Sequence, residues 1–137
     1  MNEAEARETF GKARVARLAT LTPDGAPHIV PICFAVDGDV IYSAIDHKPK
    51  RTTHPQRLRN INGDARVAVL ADHYDDHWEN LWWIRADGRG RVVSTCEQAV
   101  ALLARRYEQY HERPPRGEMI VIDVARWSGW RSAAATQ

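Results

Sequence analysis

"RVARLATLTPDGAPHIVPICFAVDGDVIYSAI", Arg14 to Ile45, decides the fold. Three β-compatible runs follow one another through two tight turns. In Pro23-Asp24-Gly25 the proline presets φ at one turn position and the glycine accepts positive φ at another. Asp37-Gly38-Asp39 makes the second turn. Runs joined this closely pair as antiparallel hairpins. The middle run, "PHIVPICFAV", is apolar on both alternating faces, with Ile29, Pro31, Cys33 and Ala35 on one and Val30, Ile32, Phe34 and Val36 on the other. A strand of that kind is covered twice, as a barrel wall with a partner on its outside. Pro31 has no N–H to give a ladder, so a bulge or an unpaired edge is expected there.

The flanking sequence extends the pattern. "NEAEARETFGKAR" combines helix formers with early carboxylates and predicts a helix over about 3–12. "PQRLRNI" reads as a short helix with Leu58 and Ile61 inward. "ARVAVLADHY" is a fourth strand, and "LWWIRADGRGRVVS" a fifth with a bend permitted near Gly88 to Gly90. "CEQAVALLARRYEQYHER" predicts one helix: Ala99, Leu102, Leu103, Tyr107 and Tyr110 keep a 3–4 spacing and leave Arg105, Arg106 and Glu108 to water. Pro114 and Pro115 end it. "EMIVIDVARWSGW" is the last strand. The expected fold is α+β: a six-stranded antiparallel barrel with two or three flanking helices, one domain over 1–137.

Composition narrows the function. The 44% hydrophobic and 27% charged shares are those of an ordinary globular chain. No apolar run approaches the roughly 20 residues that span a bilayer. The acidic, polar start matches neither a signal nor a transit peptide, so the cytoplasm is the expected location. A net charge of +1 draws neither nucleic acid nor membrane, and any anion site must be local. Cys33 and Cys96 match no zinc or redox spacing and are expected to be reduced, buried and small.

The strongest local signal is "DHKPKRTTHPQRLRN", Asp46 to Asn60. Of 19 basic residues only Lys12, Lys48 and Lys50 are lysines, and two of them flank Pro49 directly after an apolar run. With Arg51, Arg57 and Arg59 nearby and a helix start near Thr52 or Thr53, the segment reads either as a phosphate or polycarboxylate site or as a solvated basic turn. "HYDDH" sets His73 and His77 four apart, but His73 belongs to a strand end and the zinc-protease glutamate is missing, so no metal is assigned. There is no P-loop, no GxGxxG and no nucleophile elbow. Trp82 and Trp83 are strand neighbours, so one faces outward, which suits a subunit interface. Trp127 and Trp130 either wall a planar ligand by stacking or pack in the core.

The ordered series "RVARLATLTPDGAPHIVPICFAVDGDVIYSAID", "KPKRT", "RLRNI", "ARVAVLADHY", "LWWIRADGRGRVV" and "RWSGW" resembles the pyridoxamine-5′-phosphate-oxidase-like split-barrel flavoproteins, over roughly residues 10–131. More narrowly it resembles their actinobacterial branch, the deazaflavin-dependent oxidoreductases that use coenzyme F420. The resemblance implies a homodimer of FMN-binding-type split barrels with cofactor sites between subunits. Lys48, Lys50 and Arg51 would hold the cofactor phosphate, with Tyr42 and Ser43 on the strand leading in. Val30 and Pro31 would lie near the ring, and Trp127, Trp130 and Arg131 would close the site. Leucine would be expected at His54, and Asp-Trp at His77-Trp78. The Arg-Leu-x-Pro tail of the true vitamin-B6 oxidases is not matched, which points away from that reaction. The implied activity is hydride transfer between reduced F420 and a small organic acceptor. An FMN-dependent oxidoreductase and a non-catalytic cofactor carrier are the alternatives. No residue is assigned as catalytic acid.

Overall fold

The computed structural model describes residues 1–45 and 55–133. Seven strands form one sheet: β1 (Ala16–Leu21), β2 (Pro27–Ile32), β3 (Ala35–Asp37), β4 (Val40–Ala44), β5 (Arg66–His73), β6 (Trp82–Val93) and β7 (Met119–Arg131). Every neighbouring pair is antiparallel, in the order β2-β1-β5-β6-β7-β4-β3. Among the described residues four α-helices flank it: α1 (Glu3–Lys12), α2 (Gln56–Gly63), α3 (Glu97–Arg106) and α4 (Glu108–Glu112). The fold is α+β, as expected.

The count of six strands is corrected to seven, because the run 27–36 breaks at Cys33 and Phe34. Its halves, β2 and β3, form the two opposite edges of the sheet. Two residues join those edges, so the sheet must curl until its margins approach each other. No ladder links β2 to β3 among the described residues, so the sheet is not closed. Pro31 lies on β2 and is paired to β1 alone, opposite Arg17, where a missing N–H is harmless. The predicted turns hold: Gly25 has φ +80 and Gly38 φ +59.

Of the two or three helices expected, the last is divided in two among the described residues. The predicted helix over 96–113 breaks at Tyr107, which is extended at φ −123, ψ 123. Its hydroxyl reaches the backbone of Phe34 instead of extending a helical face. Arg106, expected in water, is partly buried, with its guanidinium 4.7 Å from the centre of the Phe34 ring.

Two apolar clusters follow from the alternation of the strands. Leu18, Ile32, Phe34, Ile41, Val69, Ile84, Ile120 and Ile122 fill the barrel, joined by Phe10 of α1 and by Leu58 and Ile61 of α2. Met119, Val121, Ala35 and Tyr42 point the other way and meet Leu103 and Tyr110 of α3 and α4. Helices thus cover the outside of β3, β4 and β7. The outer face of β2, β1, β5 and β6 has no such cover among the described residues, and Ile29 there is 63% exposed.

Candidate functional site

A cavity of about 200 Å³ lies between the β2–β3 crossover, the C-terminal end of β4 and the first turn of α2, lined by Val15, Pro31, Ile32, Cys33, Ser43, Ala44 and Arg57. Ser43 is buried, and its hydroxyl donates to the Cys33 carbonyl at 2.9 Å. Arg57 brings positive charge to the wall. It is carried there by α2, whose inner face is fixed by Leu58, Ile61 and Asn60. Asn60 is 1% exposed, yet its polar ends are matched. Its amide donates to the Thr20 hydroxyl at 3.0 Å and its carbonyl accepts from Gln56 at 2.6 Å.

Of the residues predicted from sequence, Pro31 and Ser43 meet in this cavity. Lys48, Lys50 and Arg51 lie outside the described residues, in the segment that joins β4 to α2. Val30 packs against the barrel core. Tyr42 alternates with Ser43 and faces α3 and α4, where burial first, and then the neighbouring Cys96 and Asp37, push its phenol above the ordinary value of 10.0. A phenol held there is a poor proton donor near neutrality. The C-terminal trio separates within the chain. Trp127 is a core residue, 5.2 Å edge-on to Phe10, with its indole N–H on the Asp39 carboxylate at 3.0 Å. Trp130 is 46% exposed, and Arg131 donates to Thr9 of α1.

A second, shallower hollow of about 540 Å³ lies on the uncovered outer face, lined by Arg17, Ala19, Ile29, Ala68, Leu70, Asp72, Trp83 and Arg85. Trp83 faces outward while Trp82 packs against the core, so the expected division of that pair holds. Trp83 stands directly opposite Trp130 across β6 and β7, which puts both indoles on one face. Two ion pairs lie on this face, Arg17 with Asp72 at 3.5 Å and Arg85 with Asp87 at 3.0 Å. Above it, the 74–81 connection exposes Tyr74 and Trp78. At its start His73 lies at the end of β5, as expected, bonded at 2.8 Å to Asp75, whose carboxyl that contact holds below the ordinary value. Among the described residues no helix is long and apolar enough to cross a membrane.

The family described as pyridoxamine 5'-phosphate oxidase matches residues 3–131. The chain belongs to that family. No curated protein sequence matches this family member. Solved structures with the same fold include a conserved hypothetical protein of Mycobacterium tuberculosis, 22% identical with TM-score 0.77 over 100% of this chain and 89% of that one. An FAD-binding protein of Mycobacterium smegmatis is 19% identical with TM-score 0.66, over 95% and 96% of the two chains. An F420 reductase is 23% identical with TM-score 0.66, over 89% and 94%.

The cavity of this family member suits the anionic end of a flavin-type cofactor. It offers a guanidinium at a strand–helix junction and room for a phosphate-sized group. It is smaller than the few hundred Å³ usual for a drug-sized ligand, so a tricyclic ring would need walls from beyond it. Two contributors escaped sequence reasoning. Arg57 appeared there only as nearby charge, and nothing in the spacing marks it as cavity-lining. Cys33, expected to be buried, is exposed, because the chain leaves one edge of the sheet for the other at that point.

Proposed function

We propose that the protein is an oxidoreductase that uses coenzyme F420 to transfer a hydride to or from a small organic acceptor. The observation that carries this reading is the cavity of Pro31, Ser43 and Arg57, from which the chain runs directly into the segment holding Lys48, Lys50 and Arg51. Arg57 and these three residues bind the cofactor phosphate, and Pro31 and Cys33 border the ring. When bound, the deazaflavin supplies the hydride chemistry. The protein supplies orientation and excludes water. A second copy of the chain packs on the uncovered face, and Trp130 and Arg131 of the partner subunit complete the wall. With Tyr42 facing α3 and α4, protons come from water at the site.

The similar folds named as an F420 reductase and as an FAD-binding protein support a tricyclic redox cofactor and keep FMN as the second reading. Equilibrium titration of the purified protein with F420 and with FMN separates the two. F420 is expected to bind with a dissociation constant of tens of micromolar or tighter, about −6 kcal/mol or better. Binding of FMN alone would replace the first reading by the second, and binding of neither would remove both. In the bound state Lys50→Ala is expected to cost about 1.5–3 kcal/mol of affinity, the scale of a charged hydrogen bond. Turnover of enone, quinone or tetrapyrrole acceptors by the reduced, loaded protein distinguishes an enzyme from a carrier.

A further inference from the structure

The crossover between the two edges of the sheet is held from both sides. On one side Ser43 binds the Cys33 carbonyl at 2.9 Å. On the other, Tyr107 binds Phe34. Its hydroxyl accepts from the Phe34 N–H at 3.1 Å and from Arg106 Nε at 3.2 Å. Its single proton goes to the Phe34 carbonyl at 3.1 Å or the Arg14 carbonyl at 3.0 Å. Phe34 lies where neither β2 nor β3 extends, so no ladder there serves its backbone. A side chain 73 residues away does so instead. The helix gives way for this contact, since α3 ends and α4 begins on Tyr107. Arg106 reinforces it, donating to the Gly11 carbonyl while its own carbonyl accepts from Arg14 at 2.8 Å.

We propose that Tyr107 is a positioning residue for the cofactor cavity. The reasoning rests on the cofactor reading above. Pro31, Ile32 and Cys33 form one wall of that cavity and are continuous with Phe34. Cys33 also lines the hollow on the far side, with Arg14, Arg106 and Tyr107. The crossover is therefore a thin partition, anchored by Ser43 within the cavity and by Tyr107 behind it. If the rear anchor is lost, the wall is in place in only a fraction of molecules. Apparent affinity then falls by that fraction.

Tyr107→Phe in the full chain tests this by two measurements. Amide exchange at Phe34 is expected to accelerate by about tenfold or more, because its acceptor is gone. Binding of F420 or FMN, whichever the unmodified protein takes, is expected to weaken by roughly five- to tenfold with the far-UV spectrum unchanged. Faster exchange with unchanged binding would overturn the positioning role, as would unchanged exchange. Ser43→Ala loosens the same wall from the cavity side and decides the matter if Tyr107→Phe does not fold: undiminished binding in that variant rejects the proposal. If the unmodified protein binds neither cofactor, the cofactor reading itself fails and this role falls with it, a result distinct from a variant that binds normally.

Discussion

Asp39 ties three parts of the chain together through one carboxylate. It sits in the β3–β4 turn, accepts the Trp127 indole N–H from β7 at 3.0 Å and the Arg7 guanidinium from α1 at 2.7 Å. These contacts, the indole first and the arginine second, hold its carboxyl below the ordinary 3.8. A depressed carboxyl stabilises the fold above the unfolded value, and that contribution is lost as pH falls through the folded one. Trp127→Phe keeps a ring against Phe10 and removes only the N–H. The Asp39 titration followed by carbon NMR should then move up toward 3.8. An unmoved midpoint would show that Arg7 alone sets it. Asn60 works at the same scale in the interior. Asn60→Ala leaves the buried Thr20 hydroxyl without its donor and should cost about 1–3 kcal/mol in urea unfolding. Arg57 rides on the same helix, so that loss should also disturb the cavity.

At the scale of elements, β6 depends on one close approach. Between Asp87 and Gly88 its pairing with β7 shifts register, and a Cβ on Gly88 would run into the Asp123 carbonyl. Gly88→Ala must push the two longest strands apart there and is expected to destabilise by about 1–3 kcal/mol or more, read from a thermal or urea transition. A variant as stable as the parent would mean that the bend can relax. This bend is visible in "ADGRG", as the hairpins are in "PDG" and "DGD", because proline fixes φ locally and glycine admits values that other residues avoid. The two breaks that shape the site are not. "PHIVPICFAV" carries no breaker at Cys33-Phe34, and "LLARRYEQY" keeps a helical spacing through Tyr107. Both breaks meet at the contact between Tyr107 and Phe34, far apart in sequence, where tertiary structure overrides local propensity. The same limit explains the candidate site. Pro31 and Ser43 could be placed because the strands were legible, whereas Arg57 enters the cavity only through the docking of α2.

For the whole molecule, the distribution of cover matters most. Helices sheathe the β3-β4-β7 side, while the opposite side presents Ile29, Leu70, Trp83 and Trp130 beside the Arg17–Asp72 and Arg85–Asp87 pairs. A folded chain rarely leaves such an apolar patch wet. A two-fold dimer is the commonest way to cover it, because a self-complementary face then meets its own copy. Sedimentation of the unmodified protein at tens of micromolar should accordingly show a dimer. Ile29, at 63% exposure, is the most open of the face's large apolar residues and the sharpest probe. Ile29→Lys forfeits about 1.5–3 kcal/mol of apolar burial per subunit. Two-fold symmetry applies that loss twice, so dissociation should rise by roughly a hundredfold or more. The exposed position on an edge strand means the monomer itself should stay folded. A monomeric parent protein, or a variant that dimerises as tightly as the parent, would leave the outer face without this role. The cofactor walls assigned to Trp130 and Arg131 of the partner subunit would go with it.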